Sequence, residues 1–396
     1  MPAPCPLPAA SDPDEVFLAE VRAFLAEALT PDLREAGRRT LGVHSDIAAC
    51  KLWHRRLHRR GWIAPGWPVA HGGAGWSPRQ RFLFDRECAL NDAPVLFAGG
   101  IRSLGPLIIE MGTPLQRARY LPAILSGDDL WAQGFSEPGA GSDLARVATR
   151  AVQAGDRYIV DGSKIWTTGA HLSNRMFALV RTSTGDRPQQ GLTFLLLDMA
   201  TPGLTVSPII TIDGEHELNQ VFFDQVSVPV ANRIGEEGQG WAVAKRLMQL
   251  ARSNNTPAAL VRRVYQRARN AALATEDLEP GLMARLITAE VELTAFEQTE
   301  LNLLPGGRLR DGDATSPSVL KLIGSELHQR VAELAMEIAG TARGIALEPF
   351  RDEDGQLADG ARATAKHFAT RAASIYSGSS ETQRNVIAQA LSPTTR

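Results

Sequence analysis

The hydrophobic pattern of the chain changes twice, and these changes constrain its fold more than any other feature. Up to about residue 130, the apolar residues recur at helical spacing. From Trp131 to about Pro229, short runs of β-branched and aromatic residues alternate with turn signals, which is typical of strands. From Gly238 onward, long amphipathic stretches return. The pattern therefore predicts helices, then a β region, then helices again.

The two transitions divide the 396 residues into three parts. We predict an α+β fold with an N-terminal α-helical domain over residues 1–128, a middle antiparallel β domain over residues 129–235 and a C-terminal four-helix-bundle domain over residues 236–396. The length agrees with this division, because domains typically hold about 150 residues.

Asp161-Gly162 is a strong turn signal within the β region. The pair is flanked by the short runs Arg157–Val160 and Ser163–Thr167, and Asp-Gly favours the two-residue turns of β-hairpins. We therefore predict a hairpin at this point. The other predicted strands are Met176–Arg181, Leu192–Asp198, Leu204–Ser207 and Val221–Val228.

Charge and composition exclude several classes of protein. The formal net charge of −2 predicts no surface for nucleic acid, and no stretch approaches the ~18 consecutive apolar residues of a membrane span. The histidines lack metal-ligand spacing, so we expect no metal site. Cys5, Cys50 and Cys88 are widely separated and form no disulfide framework, which favours a cytoplasmic location.

The most informative stretch lies where the helical pattern gives way to the β pattern. It is Trp131–Ala145, WAQGFSEPGAGSDLA, and it is followed by Asp161–Gly169, DGSKIWTTG. Gly139 and Gly141 allow a ligand to approach the backbone closely. Nearby serine hydroxyls offer donors to heteroatoms or phosphate oxygens. Together the two blocks predict a ligand-binding loop.

With three further blocks in the same order, the sequence resembles the acyl-CoA dehydrogenase family over nearly its whole length. These blocks are Phe223–Pro229 (FDQVSVP), Gly235–Trp241 (GEEGQGW) and Ser374–Ala388 (SIYSGSSETQRNVIA). The stretch Gly61–Gly73 is most similar to the large-subunit branch, which includes proteins for pimeloyl-CoA and steroid side chains. The resemblance implies three domains, FAD, an acyl-CoA or other acyl thioester as substrate, and a homo- or heterotetramer.

The resemblance also implies which residues form the site. Trp166 would stack near one face of the flavin ring, and Thr168 would hydrogen bond near its reactive nitrogen, because a flavin that accepts hydride needs an aromatic wall and neutral donors. The residues expected at FAD are Gln133, Phe135, Ser136, Trp166, Thr168, Ser379 and Glu381. Those expected at the substrate are Ser142, Arg252 and Tyr376.

The sequence departs from the family at the general base. The family takes the α-proton with a glutamate at one of two positions, either after the tyrosine of the C-terminal motif or before an arginine on the first bundle helix. Here Ser377 follows Tyr376, and Ala251 precedes Arg252. A serine hydroxyl is far too weak a base to replace glutamate unaided.

Three explanations of this departure stay open. Another residue serves as the base, with His171 and Glu381 as the nearest titratable groups, although His171 is more simply a surface or flavin-edge histidine. Alternatively, the chain is the non-catalytic subunit of a heteromeric enzyme whose partner carries the glutamate. Lastly, the flavin performs other chemistry, such as that of a monooxygenase. The main expectation is α,β-desaturation of an acyl thioester, with an electron-acceptor protein or partner flavoprotein.

Overall fold

The protein is seen in a computed structural model that describes residues 13–250, 257–304, 315–343 and 359–392. Its N-terminal part is helical, as the apolar spacing predicts. The α-helices described in this part are α1 (Pro13–Ala28), α2 (Pro31–Arg39), α3 (Ile47–Arg60), α4 (Pro78–Leu90), α5 (Gly105–Met111) and α6 (Pro114–Ser126).

Local sequence explains where the helix α3 begins and ends. The carboxylate of Asp46 accepts the backbone N–H groups of Ala48 and Ala49, which no helical carbonyl can reach. Gly61 follows the last turn at φ 77°, a left-handed conformation that glycine adopts without strain. The buried face of α3, with Trp53 among its side chains, joins the hydrophobic core of the helical part.

The middle part is one twisted sheet of eight strands in the described residues, ordered β6-β7-β3-β2-β4-β5-β8, with β1 also paired to β4. Most pairs are antiparallel, whereas β1 and β2 run parallel to β4. The strands are β1 (Trp131–Gly134), β2 (Arg150–Ala154), β3 (Arg157–Lys164), β4 (Arg175–Arg181), β5 (Leu192–Asp198), β6 (Leu204–Ile210), β7 (His216–Pro229) and β8 (Arg233–Ile234).

The predicted hairpin at Asp161-Gly162 is wrong. The strand β3 runs through this pair, and the chain reverses at Gly155-Asp156 instead. A β-bulge lies opposite the Asp-Gly pair, because Asp224 and Gln225 of β7 face the single residue Asp161 of β3, and Gln225 adopts φ 53°. The Asp161 carboxylate accepts the backbone N–H of Gln225 there. The extra residue thus lies on β7, while Gly162 continues β3 and pairs with Phe223.

The central strand β4 is buried on both faces, so its residues alternate between two cores. Phe177 and Leu179 pack into the core shared with the N-terminal helices. Met176, Ala178 and Val180 pack into a second core on the opposite face of the sheet. The sheet therefore separates two hydrophobic cores.

The C-terminal part is again helical, as predicted. Its described helices are α7 (Gly240–Leu250), α8 (Ala258–Leu273), α9 (Pro280–Asn302), α10 (Ser316–Arg343), α11 (Asp359–Thr370) and α12 (Ser380–Leu391). Val264, Leu293 and Val331, from α8, α9 and α10, are buried in one core. The helices α11 and α12 pack on α10.

Cationic side chains of the C-terminal helices dock on carbonyl groups at the ends of N-terminal helices. Arg263 Nε donates to the carbonyl of Ala89 (3.2 Å) and its Nη2 to that of Ala93 (2.8 Å). Arg267 Nη1 donates to the carbonyl of Arg38 at 2.7 Å. Cations at helix C-termini are favoured by the helix dipole and by unpaired carbonyls. These contacts hold the two helical parts together.

Candidate functional site

The glycine-rich block forms the loop from the end of β1 to the start of β2. Its tip is a tight turn in which Glu137 and Ala140 exchange two backbone hydrogen bonds of 3.0 Å. Gly139 and Gly141 lie exposed at this tip, beside exposed Ser142. A Cβ atom added at either glycine would meet no atom within 4 Å. The fold of the described chain therefore does not itself require glycine here, and the space beside the backbone is open to a ligand.

The base of this loop is held rigidly. Arg181, at the end of β4, donates from Nε to the carbonyl of Val147 (2.9 Å) and from Nη2 to that of Ala145 (2.8 Å). The buried carboxylate of Glu137 accepts the backbone N–H of Ala148 at 2.6 Å. An exposed tip on a rigid base is suited to bind a ligand without large rearrangement.

The second predicted segment, residues 165–169, follows β3 and carries an exposed aromatic side chain. We call it the Trp166 segment. Trp166 is 57% exposed and has φ 59°, which is uncommon for a residue other than glycine. The segment is fastened to the start of β7. Thr167 N–H donates to the carbonyl of Asn219 (2.9 Å), and Gly169 N–H to that of Glu217 (2.8 Å). The indole is thus held outward by a fixed backbone.

The structure brings these two segments together, as a shared ligand site requires. Ile165 N–H donates to the carbonyl of Ser136 at 2.9 Å. Lys164 Nζ donates to the carbonyl of Phe135 at 3.1 Å. The ring of Phe135 itself is buried against Phe177, with centroids 5.8 Å apart, so only its backbone remains for a ligand.

The remaining predicted residues of these two segments are at least partly exposed. Gln133 is exposed on β1, and Thr168 is half-buried between Trp166 and Gly169. The hydroxyl oxygen of neighbouring Thr167 is buried and has no hydrogen-bond partner among the described residues. Together with the open glycine tip and the exposed indole, these groups fit a flat aromatic ring with a polar chain.

His171 follows Gly169 and stacks on His216, with ring centroids 3.8 Å apart. Its Nδ1 lies 3.1 Å from Asn219 Nδ2, and His216 Nε2 lies 2.8 Å from Asn219 Oδ1. Partial desolvation, with the His216 charge as a smaller cause, lowers the pKa of His171 below its usual value. Asn219 also donates to the carbonyl of Thr167 at 3.0 Å, so the histidines belong to the support of the Trp166 segment.

The C-terminal predicted residues lie on the bundle, around the start of α12. Ser379 Oγ accepts the N–H of Thr382 at 3.3 Å and caps this helix. Glu381 is exposed in the first turn, where hydrogen bonds to its own backbone and to Ser379 lower the pKa of its carboxyl. Ser377 is exposed at φ 56°. A capping carboxylate with a lowered pKa is a weaker base than an ordinary glutamate.

Half-buried Tyr376 adjoins the buried Lys321 of α10, whose Nζ lies 5.6 Å from the centre of its ring. Lys321 also donates to the carbonyl of Ala373. Ala251 and Arg252, the second base position and its arginine, lie outside the described residues. The structure thus joins the glycine-rich and Trp166 segments directly, and the meeting of the C-terminal residues with FAD stays a prediction.

Four side chains that hold the site from behind were not predicted from the sequence. These are Glu137, Lys164, Arg181 and Asn219. One signal was available for Lys164, which falls in the same alternation phase as the buried Tyr158 and Val160 of its strand. A lysine at an inward position needs an anionic partner, and Glu137 provides it.

Two classes of site find no support in the part of the chain that the structure describes. No group of three or more histidine, cysteine, aspartate or glutamate side chains is placed to hold a metal ion among the described residues. Within the same residues, no helix combines the length and the apolar character needed to cross a membrane.

Three family models match the chain in sequence order. The acyl-CoA dehydrogenase N-terminal domain matches residues 11–128, the middle domain residues 132–226 and the C-terminal domain residues 238–392. The chain therefore belongs to the acyl-CoA dehydrogenase family and is a flavin oxidoreductase of that type.

Individual members of the family are similar to the chain over nearly its whole length. It is 37% identical over 388 residues to acyl-CoA dehydrogenase IpdE1 of Mycobacterium tuberculosis, covering 95% of this chain and 96% of that protein. It is 31% identical to FadE26 of the same organism, covering 94% and 95%.

Solved structures agree with this placement. The ChsE4-ChsE5 complex from Mycobacterium tuberculosis matches with TM-score 0.82 at 29% identity, covering 98% of this chain and 100% of that chain. The Tcur3481-Tcur3483 steroid acyl-CoA dehydrogenase matches with TM-score 0.80 at 26% identity, covering 97% and 98%. The predicted fold class and the resemblance to the steroid-type branch are thereby confirmed.

Proposed function

We propose that this chain binds FAD and desaturates an acyl-CoA or other acyl thioester between its α and β carbons. The contact between the glycine-rich loop and the Trp166 segment carries the proposal, because it places open backbone beside an exposed aromatic wall. The family generally binds FAD, which supports it. FAD would be held by Gln133, Phe135, Ser136, Trp166, Thr168, Ser379 and Glu381, and the thioester by Ser142, Arg252 and Tyr376.

In this reaction, the β carbon gives up a hydride and the α carbon a proton, so the thioester leaves as its α,β-unsaturated product. Bound FAD supplies the hydride acceptor. The indole of Trp166 would cover one side of the site and exclude water. The hydroxyl of Thr168 would donate a hydrogen bond where negative charge develops.

The fate of the α-proton separates two versions of this function. Neither usual base position holds a carboxylate, and Glu381 is engaged at the N-terminus of α12. His171 shares Asn219 with His216 and supports the Trp166 segment. These contacts favour a support role for His171 over that of a base.

A second candidate is a non-catalytic subunit of a heteromeric acyl-CoA dehydrogenase. The observation favouring it is that two similar solved structures are named as pairs of different chains, ChsE4-ChsE5 and Tcur3481-Tcur3483. A partner of the same family would then bring the glutamate. The assembly would be a homo- or heterotetramer built on the C-terminal helices, passing electrons to an acceptor protein or partner flavoprotein. We also propose a cytoplasmic location for the protein. The proposed domain boundaries lie between residues 128 and 129 and between residues 235 and 236.

Restoring the missing carboxylate tests the proposal. The variants are Ser377→Glu and Ala251→Glu, with Ser377→Gln and Ala251→Gln as controls of equal size. If the base is lost, one glutamate variant reduces its flavin with acyl-CoA thioesters roughly 10²–10⁴-fold faster than the wild type, and the glutamine variants do not. Flavin-loaded variants that all fail to respond would contradict desaturation. Transfer of one oxygen atom from O2 into an organic product, rather than release of hydrogen peroxide, would then identify a monooxygenase.

A further inference from the structure

A buried ion pair lies directly behind the contact between the two segments of the proposed FAD site. Lys164 is 0% exposed. Its Nζ donates to Glu137 Oε1 (2.7 Å), to the carbonyl of Leu179 (2.6 Å) and to the carbonyl of Phe135 (3.1 Å). An ammonium group has three N–H donors, so each donor has an acceptor.

The carboxylate of Glu137 is equally well satisfied. Oε1 also accepts the N–H of Thr149 at 3.0 Å, and Oε2 accepts that of Ala148 at 2.6 Å. Burial lowers the pKa of Lys164 to about 8. Burial alone would raise the pKa of Glu137, but the Lys164 charge holds it below its usual value. Both groups are therefore charged at neutral pH.

The pair joins backbone from four places at one point. Phe135 follows β1, Ala148 and Thr149 precede β2, Lys164 ends β3, and Leu179 lies within β4. The two ends of the glycine-rich loop and the start of the Trp166 segment are therefore fixed to one another. Small displacements at this point would move Ser136 relative to Trp166, since each is within two residues of a bonded group.

Stability alone does not explain such a pair. Removing two charges from water costs free energy, and well-packed apolar side chains of similar volume often replace a buried ion pair without loss of stability. What apolar side chains cannot supply is directed hydrogen bonding to particular carbonyl and N–H groups. The pair is thus suited to fixing geometry.

We propose that Lys164, together with Glu137, is a positioning residue for the flavin, and this inference rests on the proposed function. The pair holds the backbone of Ser136 and the indole of Trp166 at the separation that the flavin ring needs. It does so without contacting the flavin, because both side chains are buried behind the loop.

The test compares the double variant Lys164→Met/Glu137→Leu with the wild-type protein and with a matched control. The control is Arg175→Met/Asp129→Leu, which removes an ion pair of 3.1 Å at the other end of β1 and β4 together with the contact of Arg175 to Asp198. Each protein is stripped of flavin and titrated with FAD. Thermal unfolding of the apoprotein and visible circular dichroism of bound FAD are recorded.

The proposal predicts that Lys164→Met/Glu137→Leu stays folded, binds FAD at least tenfold more weakly and shows an altered visible dichroism. The control keeps the wild-type FAD affinity and visible dichroism, even where its thermal stability changes. If the double variant is folded and has wild-type FAD affinity and dichroism, this inference is overturned but the proposed function is not. A wild-type protein that does not bind FAD would overturn the proposed function and this inference with it.

A milder variant covers the case in which the double variant does not fold. Glu137→Gln keeps the volume and one acceptor oxygen but removes the charge that faces Lys164. It is compared with Asp129→Asn. We expect FAD affinity to fall at least threefold for Glu137→Gln only. Equal FAD affinity and dichroism in Glu137→Gln and the wild type would overturn the inference.

Discussion

At the scale of single residues, the glycines at the loop tip separate what the fold needs from what a ligand needs. Gly139 has open space around the position of a Cβ atom. Gly203, by contrast, has φ 88°, and a Cβ there would lie 2.0 Å from the carbonyl oxygen of Asp224. The described chain therefore has room for a side chain at Gly139, whereas a side chain at Gly203 would clash with the backbone.

Gly139→Ala should therefore leave the apoprotein as stable as the wild type or more stable by up to about 1 kcal/mol, because alanine restricts the unfolded chain. The added methyl group should weaken FAD or acyl-CoA binding, since it fills the space beside the backbone. Denaturant unfolding and ligand titration measure the two effects. Gly203→Ala should show the reverse, with a loss of stability. Equal ligand binding by Gly139→Ala and the wild type would contradict a ligand at the tip.

At the scale of elements, the Trp166 segment owes its shape to the start of β7. Asn219 is fully buried and donates to the carbonyl of Thr167 while contacting His171 and His216. These contacts hold Trp166 at a positive φ that its own side chain does not favour. The shape of the site is thus imposed by a strand distant in sequence.

Asn219→Ala should lower the free energy of unfolding by about 2 kcal/mol, because it leaves buried polar groups unpaired, and should also weaken FAD binding. Asn174→Ala, at an exposed asparagine, is the control. Asn174 bonds the N–H of Leu130 and the carbonyl of Asp128 at the start of β1, away from the Trp166 segment. Asn174→Ala should lower the free energy of unfolding without weakening FAD binding. Comparable losses of FAD affinity in both variants would contradict the assignment.

Elements were predictable from sequence where local pattern and tertiary environment agree. The strand β5 has the predicted bounds Leu192–Asp198, since its apolar run is buried between both cores. The hairpin at Asp161-Gly162 failed because the long pairing of β3 with β7 decides the backbone there. Glu137 was missed as the partner of Lys164 because the pairing joins residues 27 apart in sequence, which no local pattern reveals.

At the scale of the whole molecule, cationic side chains join the N- and C-terminal helices. Arg263 is 7% exposed and bonds the carbonyls at the end of α4. Arg263→Met should lower the free energy of unfolding by about 3 kcal/mol, because buried carbonyls lose a charged donor. Arg285→Met, which removes an exposed pair with Glu337, should cost less than about 1 kcal/mol. If denaturant unfolding shows similar losses of stability for Arg263→Met and Arg285→Met, Arg263 does not hold the two helical parts together as described.

Acid should destabilise the protein through its buried histidines. Burial holds the pKa of His328 well below its usual value, and neither ring nitrogen has a partner among the described residues. Below about pH 6.5, the unfolded chain binds a proton there that the folded chain does not, so stability falls as the pH falls. His328→Leu should be more stable by about 1–2 kcal/mol and less sensitive to acid between about pH 7 and 5. Urea unfolding measures the free energy of unfolding at each pH. An equal loss in His328→Leu and the wild type between about pH 7 and 5 would contradict this explanation.

Binding of FAD at the joined loops and its reduction by an acyl thioester together decide the proposed function. The most direct measurement is the visible spectrum of the protein expressed alone, followed by anaerobic titration with acyl-CoA thioesters. We expect one oxidised flavin per chain that a thioester bleaches. A protein that contains no flavin and gains none on reconstitution, alone or with a second family member, would contradict it.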